Sequence, residues 1–164
     1  MMRRRAPGDM DEASQLLEAA RGEQTSAGKL GEVLITDSRR AELEVLAGRP
    51  ASALAIADRG LVEAERTDGG SLVVPRLERT RGWALLQSGR PKEAAKAFAR
   101  AERLARRGED IYELAQALDG IVEVRRSTSR AWETAAAERD AIYKRLGIIA
   151  PVQVPTTSEV ALSA

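Results

Sequence analysis

The chain has 164 residues, of which 43% are apolar and 3% aromatic, enough for one compact domain with an aliphatic core. Its 26 basic and 25 acidic residues leave a net charge of +1, which gives no support to long-range attraction to nucleic acid or an anionic membrane. Because cysteine and histidine are absent, disulfides, thiolate metal sites and histidine-based catalysis are excluded. No apolar run approaches the roughly 20 residues of a membrane span, so we expect a soluble, cytoplasmic protein.

Similar short segments recur along the chain. Gly8, Gly48 and Gly89 open three of them, about 40 residues apart, and a degenerate copy begins near Ser127. This spacing is typical of stacked helical pairs, so we predict an all-α, right-handed solenoid of helical hairpins with about three and a half repeats. The predicted repeat domain spans residues 8–149. A flexible basic lead at 1–7 and a disordered tail at 150–164 are expected to flank it.

The predicted helices follow apolar residues spaced three and four positions apart. The first predicted helix, residues 8–21, has the pattern of the second helix of a repeat whose first helix is missing from the chain. We therefore expect its apolar face to pack against something outside this sequence, or the helix to fray. Residues 23–29 are polar and turn-like. Residues 33–36 would suit a strand in isolation, but the repeat context favours a helix. In chain order, the other predicted helices are residues 30–47, 51–66, 72–88, 89–107, 111–126 and 130–146.

The segment 89–107 illustrates why these stretches are predicted to be helical. Gly89 can end the preceding helix in the left-handed conformation, and Pro91 suits a first turn, where its missing N–H has no partner anyway. The apolar face is rich in alanine, so we expect a neighbouring helix to approach closely and Phe98, the only phenylalanine, to fill the gap. Asp110 is the expected N-cap of the next helix.

The central repeat resembles the tetratricopeptide pattern, in which a small residue in the first helix is followed by Ala, a large apolar residue and Ala in the second. Gly82, Ala94, Phe98 and Ala101 match that spacing, and Gly82 would let a neighbouring backbone approach. Glu78 stands where the pattern has its early Trp. The resemblance implies stacked hairpins whose first helices line a concave groove.

A longer resemblance covers residues 41–148, through AELEVLAGRPASALAIADRGLVEAE, LERTRGWALLQSGRPKEAAKAFARAERLARRGEDIYELAQAL and a terminal KRLGI. This region is similar to the C-terminal helical arrays of large bacterial, especially actinobacterial, signalling proteins. In those families the array follows an ATPase domain, often with a nucleotidyl-cyclase or helix-turn-helix transcription domain attached. The resemblance implies a sensing or protein-interaction segment, the tail of a longer ancestor, without the ATPase or cyclase activity.

The segment 22–30 has some features of a phosphate-binding loop. However, five residues separate Gly22 and Gly28, where that loop has four, and Leu30 follows Lys29, where a Ser or Thr would reach magnesium. A helix rather than a strand is predicted before it. We interpret the segment as a linker and expect no bound nucleotide, cofactor or metal.

Candidate partner-binding residues lie on the helix predicted at 72–88, because first helices of such arrays line the groove. Arg76, Arg79, Trp83 and Gln87 fall roughly on one face of that helix, and Trp and Arg are frequent at binding hot spots. The alternative is that Trp83 packs between repeats as a core residue. The expected partner is a protein or a peptide.

Two other surfaces are candidates. Leu16 and Leu17, on the unpartnered first helix, would allow self-association into a homodimer. A basic stripe would suit an anionic partner such as nucleic acid, although charged outer faces are ordinary in solenoid helices. The members of the stripe are Lys92, Lys96, Arg100, Arg103 and Arg107.

No catalytic residues are predicted. Without His or Cys, acid-base chemistry would need carboxylates or lysine in a cleft, whereas the acidic residues mostly follow solvent sides or first turns of predicted helices. The sequence contains neither a triad nor a metal-ligand set. We therefore expect a non-catalytic interaction or regulatory module.

Overall fold

The computed structural model describes residues 7–128, 130–149, 151–156 and 159–160. These residues form seven α-helices, a short 3-10 helix and no strand, so the protein is all-α. None of the described helices is long and apolar enough to cross a membrane. The 3-10 helix is Gly70–Val73, and the α-helices are Pro7–Ser26 (α1), Leu30–Leu46 (α2), Pro50–Ala64 (α3), Val74–Gln87 (α4), Pro91–Arg107 (α5), Ile111–Ser127 (α6) and Glu133–Leu146 (α7).

Each α-helix packs against the next one along the chain. In addition, α2 contacts α4, and α4 contacts α6. Among the described helices, α1 contacts only α2 and α7 contacts only α6, so these two lie at opposite ends. The alternate helices α2, α4 and α6 together form one surface, which we call the α2/α4/α6 face.

Local sequence explains where several helices begin and end. Gly89 has a φ of 71° and follows the end of α4, and Pro91 lies in the first turn of α5, as predicted. The Asp110 carboxylate accepts a hydrogen bond of 2.9 Å from the N–H of Glu113, which confirms it as the N-cap of α6. The Glu113 side chain is left free to reach another helix.

The end of α1 differs from the prediction. The helix continues to Ser26, so the segment at 23–29, predicted to be a turn, is helical over its first half. The hydroxyls of Thr25 and Ser26 donate to carbonyl oxygens one turn earlier, at 2.8 and 2.9 Å. Both hydroxyls are therefore paired within the helix, although the polar composition of the segment favours a turn.

Two helices begin later than predicted. The residues before α4 form the tighter 3-10 turn, and α4 begins at Val74, with Pro75 in its first turn. The helix α7 begins at Glu133 rather than at residue 130, where it was predicted to begin. There the guanidinium carbon of Arg126 lies 3.9 Å from the ring centre of Trp132, a cation–π contact that holds Trp132 against the preceding helix.

Phe98 of α5 is fully buried between α4 and α6, so the prediction that it fills the gap between helices is confirmed. A Cβ atom added at Gly82 of α4 would lie 2.7 Å from its ring, and one at Gly120 of α6 would lie 2.1 Å from it. Atoms cannot pack at these distances, so the ring requires glycine on both sides. The prediction that a backbone approaches Gly82 is wrong, because the Phe98 ring occupies that space.

The predicted flexible lead, 1–7, lies outside the described residues except for Pro7, which begins α1. Of the predicted disordered tail, residues 150, 157, 158 and 161–164 also lie outside them. Residues 151–156 have no regular secondary structure and run along the α2/α4/α6 face. Beyond them, a methyl group of Val160 lies 3.3 Å from where a Cβ of Gly48 would be.

Candidate functional site

A cavity of ≈ 280 Å³ lies on the α2/α4/α6 face. Trp83 of α4 and Tyr112 of α6 provide aromatic walls, and Leu43 of α2 provides an apolar one. Arg39 and Glu42, also of α2, add charged groups to its lining. Apolar walls with a few polar groups are typical of binding sites.

Arg79, one of the predicted partner-binding residues, lines this cavity and is only 3% exposed. Its guanidinium donates two hydrogen bonds to the Glu113 carboxylate of α6, at 2.9 and 3.2 Å. It also pairs with Glu42 of α2 at 3.0 Å, and Arg76 donates to Glu113 at 3.2 Å. The arginines therefore tie α4 to both neighbouring helices of the face.

The charges of this network stabilise one another. Burial alone would raise the pKa of Glu113, but the adjacent Arg79 and Arg76 outweigh it and hold that pKa below its ordinary value. Burial alone would lower the pKa of Arg79, but Glu113 and Glu42 raise it. Both groups are therefore charged at neutral pH. Both pKa values are shifted away from the near-neutral range that favours proton transfer.

Trp83 belongs to the core and to the cavity wall at once. It is 7% exposed, and its ring meets the Phe98 ring edge to face, with centroids 5.4 Å apart and an interplanar angle of 77°. The same side chain borders the cavity. Replacing it would therefore disturb packing as well as any partner contact.

Gln87, at the end of α4, binds backbone groups from two other parts of the chain. Its Nε2 donates to the carbonyl oxygen of Val45 on α2, at 3.0 Å, and to that of Pro155 in the tail, at 2.9 Å. Two carbonyl acceptors fix the orientation of the side-chain amide, because only its nitrogen can donate. Its Oε1 is buried and has no hydrogen-bond partner among the described residues.

A second cavity, of ≈ 380 Å³, continues the α2/α4/α6 face towards α7. Asp119 of α6 lies in its wall and accepts hydrogen bonds from the Tyr143 hydroxyl and, at 3.0 Å, from Arg139. Burial raises the pKa of Asp119, although Tyr143 and Arg139 act to lower it. These three side chains join α6 to α7 beneath the tail.

The other predicted residues lie away from the first cavity, with one exception. Leu16 is 65% exposed on α1, while Leu17 is partly buried and borders that cavity. The basic stripe lies on the exposed side of α5, where Arg100 pairs with the buried Glu78 at 2.9 Å. The other members of the stripe, all exposed, are Lys92, Lys96, Arg103 and Arg107.

Sequence reasoning placed the candidate residues on one helix and missed their neighbours. Tyr112 and Gln116 of α6 and Leu43 of α2 line the same cavity as Trp83. The recurrence of similar segments about 40 residues apart offered a usable signal for these residues, because a repeat architecture would place equivalent positions of successive copies on one surface. No comparable signal identified the tail.

No protein-family model, curated protein or solved structure matches the chain.

Proposed function

We propose that this chain is a non-catalytic, tetratricopeptide-like solenoid that binds a protein or peptide partner through the α2/α4/α6 face. The observation that carries the proposal is the cavity of ≈ 280 Å³ on that face, with its aromatic walls Trp83 and Tyr112 and its charged lining residues. In a stacked array of helical pairs, the first helices line the concave side. The contacts of α4 with both α2 and α6 fit such an array.

The face is organised before any partner arrives. Arg79 holds α4 to Glu113 and Glu42 by charge-assisted hydrogen bonds and ion pairs, so the three helices keep a fixed relation. A rigid face loses little conformational entropy on binding. Affinity would then come from exposed groups, above all the Tyr112 ring, which is 44% exposed.

The regulatory setting rests on the resemblance to helical arrays of bacterial signalling ATPases, cyclases and transcriptional regulators. In such a setting the array recognises a partner, and another domain carries out the chemistry. This role needs no catalytic group, cofactor or metal in the chain. We therefore propose a cytoplasmic location for the protein.

Selection of peptides from a random library displayed on phage tests the proposal. For an enriched peptide, Tyr112→Ala is expected to weaken binding about tenfold or more, because it removes the exposed aromatic wall. Lys96→Ala, on the exposed side of α5, is the control and is expected to leave the affinity unchanged. The readout is the Kd by calorimetry, with the helical content of each variant checked by circular dichroism.

Peptides whose affinity is insensitive to Tyr112→Ala but falls with Lys96→Ala would contradict the proposal and support the basic stripe. Trp83→Ala is less informative, since Trp83 also packs against Phe98.

Self-association through α1 is a second candidate function, favoured by the exposure of Leu16, at 65%. It predicts a dimer in sedimentation that Leu16→Glu converts to a monomer without loss of helix. A monomeric wild-type chain at high concentration would exclude it.

A further inference from the structure

We propose that tail residues 151–156 are a built-in occupant of the partner site, and that the partner is an extended peptide of matching chemistry. That chemistry is two branched apolar side chains two positions apart, followed by a residue with a free backbone N–H. The inference rests on the proposed function and adds the chemical class of the partner.

The tail indicates the first feature of the partner, the two branched apolar side chains two positions apart. Val152 and Val154 both border the first cavity, whereas Gln153 between them borders the second, as the two valines also do. Such alternation is that of an extended chain, in which side chains two residues apart lie on the same side. Val154 also packs against the core that contains Trp83 and Phe98. The two valines therefore form part of the cavity wall, Val154 packed against the core and Val152 49% exposed.

The contacts of Gln87 indicate the second feature of the partner, the residue with a free backbone N–H. Its Nε2 holds the carbonyl oxygen of Pro155 at 2.9 Å, one residue beyond Val154. A side-chain amide can bind a backbone residue twice, donating to its carbonyl oxygen and accepting from its N–H. Pro155 has no N–H, and the Oε1 of Gln87 is left buried without a partner among the described residues.

The tail is consequently an imperfect ligand. A buried acceptor without a donor is unfavourable, and a peptide residue that provides an N–H at this position removes that penalty. The tail can therefore occupy part of the face in the free protein and still give way to a better peptide. Because Val160 lies beside Gly48 at the end of α2, the tail crosses the face from α7 towards α2, and the partner peptide takes the same direction.

A peptide-binding assay with the full-length chain tests the occupancy of the face. The probe is a fluorescein-labelled synthetic peptide of residues 148–160, followed by fluorescence anisotropy. The tail variant Val152→Asp/Val154→Asp is expected to release its own tail and to bind the probe at least about tenfold more tightly than the wild-type chain, whose attached tail competes. Val154→Asp alone, at the position packed against the core, provides a second released-tail variant.

Two further peptides test the role of the N–H. The Pro155→Ala peptide is expected to bind the released-tail variant about fivefold more tightly than the parent peptide, as one additional hydrogen bond would provide. The same peptide N-methylated at that alanine lacks the donor and is expected to return to the parent affinity. A peptide carrying Val152→Asp/Val154→Asp is the negative control.

Absence of probe binding to both released-tail variants would overturn the inference, as would equal affinities of the Pro155→Ala peptide and its N-methylated form. Its failure can be separated from failure of the proposed function. If library peptides depend on Tyr112 while the tail peptide does not bind, the face is a binding site and only this inference fails. If library peptides are insensitive to Tyr112→Ala, the proposed function itself fails.

Discussion

Single residues determine how closely the helices of this protein approach. The Phe98 ring occupies a slot whose two sides are Gly82 and Gly120, one on each neighbouring helix of the α2/α4/α6 face. The same ring supports Trp83, a wall of the cavity. Packing at this one position therefore connects the core with the proposed binding surface.

Gly120→Ala is expected to lower the free energy of unfolding by about 2 kcal/mol, because the new methyl group would lie 2.1 Å from the Phe98 ring. The control is Gly22→Ala in α1, where no heavy atom beyond the adjacent residues and the helix's own backbone lies within 4 Å of the added Cβ. That substitution is expected to be neutral or to stabilise by up to about 1 kcal/mol through helix propensity. Urea denaturation measures the free energy of unfolding of both variants. Equal midpoints for the two variants would show that the ring moves aside without cost.

The buried pair of Arg79 and Glu113 predicts a specific response to acid. The pKa of Glu113 lies below its ordinary value in the folded state, so the unfolded chain takes up this proton first as the pH falls. The stabilisation is complete above the ordinary pKa of about 4.3 and is lost as the pH falls through the folded pKa. Glu113→Gln is expected to cost about 3 kcal/mol or more at pH 7 and to flatten this acid dependence.

Glu93→Gln is the matched control for Glu113→Gln. Glu93 occupies the first turn of α5 as Glu113 does that of α6, and it pairs with Arg90, but on the surface. Its loss is expected to change stability little at any pH. Urea midpoints between pH 3 and pH 7 compare the two variants with the wild type. A parallel acid dependence of the wild type and Glu113→Gln would contradict the assignment.

At the scale of elements, the seven helices differ in how firmly they are held. The face that α5 turns inward consists of alanines and Phe98, all buried. In contrast, none of residues 9–26 of α1 is buried, and its side chains reach α2 through polar contacts such as Arg21 to Asp37 and Thr36 to Gln24, both at 2.8 Å. Since α1 buries none of these side chains, it contributes less apolar burial than α5 and is the element expected to open first.

Hydrogen exchange followed by mass spectrometry checks this order of stability. Amides of α1 are expected to exchange at least about tenfold faster than those of α5, because none of residues 9–26 of α1 is itself buried. Asp37→Asn is expected to increase exchange in α1 further, while exchange in α5 stays unchanged. Equal protection of the two helices would mean that α1 is held by contacts beyond those with α2.

Helix positions could be predicted largely from the spacing of apolar residues and from Gly-Arg-Pro turns, because both are local features of the sequence. The boundary of α1 could not, since composition alone does not reveal that Thr25 and Ser26 would bond back to their own helix. The contact of Gln87 with Pro155 could not be predicted from the sequence either. It joins positions 68 apart in sequence through one side chain, which no periodicity encodes.

At the scale of the whole molecule, the repeat period led to a helix that lines the first cavity but not to the two other helices that line it. Arg79 and Trp83 of α4 do line the cavity, yet both are buried and serve the packing of the face. The more exposed lining comes from α2 and α6, through Arg39 and Tyr112. A surface that is assembled across three helices is visible only once their contacts are known.

Photo-crosslinking of a bound peptide at defined positions tests most directly whether the α2/α4/α6 face is the binding surface. Benzoylphenylalanine would replace Tyr112 in one variant and Lys96 in another, each irradiated with a saturating library-selected peptide. We expect a covalent adduct, identified by mass spectrometry, in the variant substituted at Tyr112 and none in the variant substituted at Lys96. An adduct only at the Lys96 position, or none at the Tyr112 position, would contradict the account.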